Sequence, residues 1–246
     1  MARQSQAPAP SDAILLLTRP EAASERFAQL YQARFGPATI VISPLTEISP
    51  CPVVPHKGDA IFTSENGVIP FLNGHLPPLG RAFCVGPRTA AAARQAGFRD
   101  VITGPGDATG LAGLIAAYPG PFVHYRGQEI AVSIAQLLQK HGTKVQECLV
   151  YKQKNCPAST QMRDALCGGR AVIVPLFSQK SAQRLAQALQ DMDTSMTADL
   201  YIVSISQNTA NALGAITAQS HLIAEQPDAS GVLNTLARLH RLRNAG

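Results

Sequence analysis

Residues 15–30 read LLLTRPEAASERFAQL, and the fold class follows from this stretch. The run Ile14–Thr18 is short and apolar, as a strand should be. Pro20 suits the first position of a helix, where a missing N–H costs nothing. A stripe at Ala23, Phe27, Leu30 and Tyr31 then marks one helix face. Moving outward, further short strands are expected at Thr39–Ser43, Ala60–Thr63, Ala82–Val85, Phe122–Tyr125, Ala171–Leu176, Leu200–Ile205 and His221–Ala224. After Arg126 a second helical stripe reads Ile130, Ile134, Leu137 and Leu138, closed by Gly142. A third runs from Ser181 to Leu189 through Ala182, Leu185 and Ala186. Strands alternating with helices of this length predict an α/β fold with parallel sheets.

The chain also repeats itself. LLLTRPEAASERFAQL, IFTSENGV, FCVGPRTAAAARQAGF and TGPGDATGLAGLI are answered in the same order. Their counterparts are FVHYRGQEIAVSIAQLL, PLFSQKSAQRL, IVSISQNTANAL and AEQPDASGVLNTL. Arg19 and Arg126, Ser64 and Ser178, Thr89 and Thr209, and Asp107 and Asp228 hold matching places. The repeat divides the 246 residues into two similar α/β domains. Four strand-to-helix turns are rich in hydroxyls, amides and glycine: 63–67, 86–89, 178–181 and 206–209. At the carboxyl ends of parallel strands such turns offer N–H and hydroxyl donors to an anion, or simply cap helices. Asp107 and Asp228 read as plain N-caps.

Composition narrows the function. The net charge is +5, from 21 basic and 16 acidic residues, and the excess is dispersed apart from Arg238, Arg241 and Arg243. With no Trp and 5% aromatics, the chain does not read as a nucleic-acid binder, and an anionic small ligand fits better. No apolar run approaches the ~20 residues of a membrane span, and MARQSQAPAPSD has no signal-peptide core; it reads as a disordered tail on a cytoplasmic protein. Cys51, Cys84, Cys148, Cys156 and Cys167 are odd in number and lack C-x-x-C spacing, so reduced and mostly buried thiols are expected. The P-loop, the dinucleotide fingerprint, the nucleophile elbow and paired metal-ligand histidines are all missing. An enzyme of this composition works mainly by binding, orientation and hydroxyl or backbone donors.

Several phrases resemble the uroporphyrinogen-III synthase family: LLLTRPEA, IFTSENGV at 61–68, VGPRTA at 85–90, the strand Val145–Lys152 ending in VYK, and the later PLFSQKSAQRL and SISQNTANAL. The resemblance runs from about residue 13 to about 240. It implies two α/β domains joined by a two-stranded antiparallel linker. Domain one would be 1–40 with 157–246, domain two 54–147, and the linker strands 41–53 and 148–156. It also implies cyclisation of hydroxymethylbilane, a linear tetrapyrrole carrying eight carboxylates, to uroporphyrinogen III. Water is lost and the terminal ring D is inverted, with no cofactor or metal. A monomer with no nucleic-acid or membrane partner is expected.

Carried onto this chain, the resemblance makes Tyr151 the proton donor to the leaving hydroxyl. Thr63, Ser64, Thr89 and Thr209 become carboxylate-binding hydroxyls, with Ser178 a further match on the third turn. Arg19, Arg88 and Arg126 become cationic clamps at strand ends. Two departures stand out. Ser206-Gln207 replaces a Gly-Pro common in the family, and Gln179-Lys180 stands where a Pro is common, with Lys180 able to supply a compensating cation. A non-catalytic two-domain receptor for an anionic small molecule is the alternative from another class, and a regulatory domain with a vestigial cleft is a third.

Overall fold

A computed structural model describes residues 12–130, 132–192 and 196–244. The expected N-terminal tail, apart from Asp12, lies outside the described residues. The chain forms two compact units, one of residues up to Glu47 with those from Asn155 onward, the other Ile48–Lys154.

The first unit opens with β1 (Ile14–Leu17), α1 (Glu21–Phe35) and β2 (Thr39–Ile42). The chain crosses to the second unit through β3 (Thr46–Pro50). There it builds β4 (Asp59–Phe62), a 3-10 turn (Glu65–Val68), α2 (Ile69–Leu72), β5 (Arg81–Cys84), α3 (Pro87–Gln95), β6 (Asp100–Thr103), α4 (Ala108–Ile115), β7 (Phe122–Gly127) and α5 (Ile134–Gln139). It returns through β8 (Val145–Asn155) to α6 (Thr160–Cys167), β9 (Val172–Leu176), α7 (Gln179–Gln190), β10 (Leu200–Ser204), α8 (Gln207–Asn211), β11 (Ser220–Ile223) and α9 (Ala229–Asn244).

The first sheet has the order β11-β10-β9-β1-β2, and every pair is parallel. Its strands are apolar at consecutive positions because both faces are covered. Ile14 and Leu16 pack with Met162, Leu166, Leu185 and Leu189 of α6 and α7. Leu15 and Leu17 point the other way, to Phe27, Tyr31, Val232 and Leu236 of α1 and α9. The second sheet, β3-β8-β7-β4-β5-β6, repeats the arrangement. Phe62 and Val123 face Phe71 and Ala93 of α2 and α3, while Ile61, Phe83 and Phe122 face Leu111, Ile115 and Leu138 of α4 and α5. Burying each such Leu, Ile or Phe contributes about 1.5–3 kcal/mol.

The internal repeat acquires a structural meaning here. The orders β11-β10-β9-β1-β2 and β6-β5-β4-β7-β8 correspond strand for strand. LLLT at β1 therefore answers FVHY at β7, and the β4 and β5 turns answer those of β9 and β10. Each copy has its first strand exchanged into the sheet of the other. The Cys51 N–H donates to the Val150 carbonyl and the Cys156 N–H to the Leu45 carbonyl. Paired positions rise on one strand as they fall on the other, so β3 and β8 run antiparallel.

Several boundaries differ from expectation. Val41 and Ile42 pair with Leu16 and Leu17, and Cys148, Leu149 and Tyr151 pair with β7, so the expected linker strands begin as members of the two sheets. Pro20 is the N-cap of α1, one position before the helix. The buried face of that helix is Ser24, Phe27, Ala28, Tyr31 and Phe35. Leu30 sits about 100° off the Tyr31 direction and is 49% exposed. No helix follows Arg126 directly: β7 runs on to Gly127, and α5 starts only where the Ser133 hydroxyl accepts the Gln136 N–H. The edge strand β6 escaped the sequence reading, because its half-exposed DVIT is framed by Gly97 and Gly104.

Among the described residues no helix is long and apolar enough to cross a membrane. The five cysteines are free thiols; Cys84 and Cys148 are buried and the others half-buried. Asp107 caps α4, accepting the Gly110 N–H at 2.8 Å. Asp107→Ala is expected to cost about 1 kcal/mol, read from the urea midpoint, with turnover unchanged.

Candidate active site

In each sheet the strand order doubles back once, between β9 and β1 and between β4 and β7. At such a switch point the loops leave the strand ends in opposite directions, and ligands bind there in doubly wound sheets. Thr63 and Ser64 follow β4, while Arg126 and Gly127 end β7. Ser178 follows β9, and Arg19 lies just beyond β1. The candidate residues therefore form two groups, one in each unit.

In the second unit, Thr63 Oγ1 lies 2.9 Å from His124 Nε2. His124 is fully buried within β7. Its Nδ1 is 3.8 Å from Glu147 Oε1, too far for a hydrogen bond but near enough for the charge to act. Arg126 Nε approaches the same oxygen at 2.9 Å, although its N–H is not aimed at it. The Arg126 Nη1 donates to the Gly127 carbonyl at 2.9 Å. Burial pushes the His124 imidazole down to about 4; Glu147 opposes that shift and Arg126 adds to it. His124 is accordingly neutral at pH 7. Arg126, expected as a cationic clamp, is held by Glu147 and by its neighbour's backbone.

Tyr151 stands on β8 and is 5% exposed. Burial pushes its phenol above the usual range, while hydrogen bonds with Ser64 and Asn66 pull the other way. The phenol stays protonated at neutral pH. Its ring lies across Gly127, where an added Cβ would sit 2.5 Å from Cε2 and Cζ. The second turn adjoins the first through the Arg88–Glu65 pair at 3.5 Å. Thr89 is buried in the first turn of α3.

In the first unit, the Arg19 guanidinium lies over the Phe177 ring at 4.4 Å, and Ser24 Oγ donates to its carbonyl. Ser178 forms a capping box with Ser181, and Lys180 is exposed in the first turn of α7. Ser206 caps α8 by accepting the Thr209 N–H. Thr209 is 1% exposed, its hydroxyl 3.1 Å from that of Ser206. Ser204 Oγ meets His221 Nε2 at 2.8 Å. Three of the four hydroxyl turns thus cap helices as well as offering donors.

A family model described as Uroporphyrinogen-III synthase HemD matches residues 26–234. The chain belongs to the uroporphyrinogen-III synthase family. No relative among curated protein sequences matches it. Among solved structures, the uroporphyrinogen-III synthetase of Helicobacter pylori 26695 is similar over 93% of this chain and 99% of its own. The identity is 18% and the TM-score 0.64, a likeness of fold. Uroporphyrinogen III synthase from the extremely thermophilic bacterium Thermus thermophilus aligns over 95% of this chain and 100% of its own, at 16% identity and a TM-score of 0.41.

For a member of the uroporphyrinogen-III synthase family, the departure at Ser206 proves conservative in backbone terms. Ser206 has φ −158°, beside −164° for Gly86 at the matching turn. Any residue adopts that extended conformation, and the serine adds a capping hydroxyl. His124, Glu147 and Gly127 were not singled out by the sequence, whereas Asn66 lies in the first of the four turns. Phe122, His124 and Arg126 alternate along one strand face, so a polar group approaching a strand end was the available signal.

Proposed function

We propose that this chain is a lyase that cyclises hydroxymethylbilane to uroporphyrinogen III, releasing water and inverting ring D. Family membership carries the reading. The observation that gives it a mechanism is the buried Tyr151 phenol, hydrogen-bonded with Ser64 and Asn66 beside the β4–β7 switch point.

The leaving hydroxyl departs as water once it gains a proton. Tyr151 supplies that proton, and its burial keeps the phenol protonated at working pH. The carbon left behind becomes an azafulvene cation. Ring D must then be held so that its substituted carbon, not the free one, meets the first ring. That is a task of orientation, in keeping with a site of hydroxyls and amides.

The candidate partners of substrate carboxylates are Arg19, Ser178 and Lys180 in the first unit and Arg88 in the second, while Ser64 donates to the Tyr151 phenol. Thr89 and Thr209, both buried, serve by fixing their turns so that backbone N–H groups face the anion. The chain works as a cytoplasmic monomer, without metal or cofactor. Purified protein given freshly generated hydroxymethylbilane is expected to yield the type III isomer; the spontaneous type I isomer alone would defeat the proposal. Tyr151→Phe should then lower kcat by roughly 10²–10⁴-fold with KM little changed. Unchanged turnover would remove the acid role from Tyr151.

A further inference from the structure

The carboxylate reading of Thr63 assumes that its hydroxyl donates outward. The geometry beneath it argues otherwise. His124 is fully buried and neutral, so one ring nitrogen carries a hydrogen and the other a lone pair. Three groups face the ring: Thr63 at Nε2, and Glu147 of β8 and Arg126 of β7 on the side of Nδ1. Nδ1 has no hydrogen-bond partner among the described residues, and Glu147 Oε1 lies 3.8 Å from it. A hydrogen on Nδ1 points a positive edge at that carboxylate, whose charge acts on the imidazole more strongly than the opposing charge of Arg126, whereas a lone pair there would oppose it. The favoured tautomer is therefore Nδ1–H, with Nε2 bare. A bare Nε2 at 2.9 Å accepts the Thr63 hydroxyl hydrogen.

We propose that Thr63 presents lone pairs rather than a proton to its ligand, because His124 Nε2 takes its hydroxyl hydrogen, and that it accepts the pyrrole N–H of the ring bearing the leaving hydroxyl. The inference rests on the cyclisation reading. Thr63 is half-exposed, while the ring it meets is fully buried. When the hydroxymethyl C–O bond breaks, the oxygen leaves with the bonding pair and a proton, as water. The ring nitrogen lone pair moves in to form the exocyclic C=C bond, and the nitrogen becomes positive while keeping its hydrogen. That N–H is then a far stronger donor than in the starting pyrrole. An acceptor polarised through His124 toward Glu147 binds it more tightly in the transition state than in the substrate. A hydroxyl with its hydrogen already committed cannot serve a carboxylate. His124 and Glu147 are positioning residues in this scheme, and Thr63 touches the reacting ring.

The first test is spectroscopic and uses the free full-length protein. In ¹⁵N-histidine-labelled protein, the long-range ¹⁵N–¹H spectrum is expected to show His124 protonated at Nδ1 and bare at Nε2; the reverse pattern overturns the proposal. The second test is kinetic. Thr63→Val should lower kcat by roughly 10–10²-fold with KM nearly unchanged, and Thr63→Ser should restore most of it. Adding His124→Phe to Thr63→Val should cost little more in kcat, because the two residues act as one unit. A rise in KM that depends on salt, with kcat intact, would return Thr63 to carboxylate binding and overturn the inference. Wild-type protein yielding only the type I isomer would overturn the cyclisation reading and the N–H role with it. The tautomer spectrum would still decide the Thr63–His124 geometry.

Discussion

Replacing Gly127 by alanine is expected to lower kcat about 10²-fold, nearly as far as removing the Tyr151 hydroxyl itself. The argument is steric. Gly127 pairs with Tyr151 across the β7–β8 ladder, beside a register irregularity at Arg126 and Gly127. A Cβ there would lie 2.5 Å from Tyr151 Cε2 and Cζ and 2.8 Å from its hydroxyl oxygen. Ordinary contact requires roughly 3.5–4 Å, so the ring must move by about 1 Å. It cannot move freely, being 5% exposed and packed with Val150, Tyr125 and Cys148. The displacement draws the phenol from Ser64 and Asn66, its hydrogen-bond partners. Overpacking should also cost about 1–3 kcal/mol of stability. Steady-state kinetics on the Gly127→Ala, Tyr151→Phe and double variants check this. The double variant should be no slower than Tyr151→Phe alone. Full activity in Gly127→Ala would show that the seat of the ring is irrelevant to turnover.

Mild acid should destabilise both units before most carboxylates titrate. Each unit holds one fully buried imidazole, His240 in the first and His124 in the second. His240 Nε2 is 2.8 Å from the Tyr31 hydroxyl. Burial, with the Arg243 charge, pushes its value down to about 4, and burial likewise brings His124 down to about 4. In the unfolded chain both return to about 6.5. The unfolded state therefore binds protons that the native state refuses. Stability is fully present above pH ~6.5 and falls as pH drops toward 4. Each histidine accounts for about 3 kcal/mol across that window. Melting followed by circular dichroism should drop by ~10 °C or more between pH 7 and about pH 5. His240→Gln and His124→Gln should each remove part of that slope. A melting temperature flat over this range would contradict the neutral, buried assignment of both.

The strand and helix framework was legible because the physics was local. LLLT followed by Pro and an amphipathic run admits few other readings, and the phrase-by-phrase repeat located equivalent strands in two sheets. What escaped depended on partners distant in sequence. Ile130 suggested a helix by period, yet β7 pairing continues to Gly127 and Ser133 starts the helix later. Of the expected site, Ser64 and Tyr151 meet because β4 and β8 flank β7, whereas Thr63 meets His124. Arg126 was placed correctly at a strand end, but its ion pair with Glu147 became visible only once β7 and β8 lay side by side. His124 looked like one of six scattered histidines. Its meaning comes from burial beneath Thr63, which no spacing rule encodes.

The exchanged first strands carry a consequence for synthesis. β1 and β2 leave the ribosome before the whole second unit, yet the partner of β1 in the sheet is β9, through Ile14↔Val172 and Leu15↔Ile173. A central strand of one sheet must therefore wait, apolar and half-paired, while the other sheet is translated. The inserted unit has all of its strands by Asn155 and can consolidate first. Newly made chains thus pass through a stage in which LLLT is an open sheet edge, a template for pairing with another chain until β9 is made.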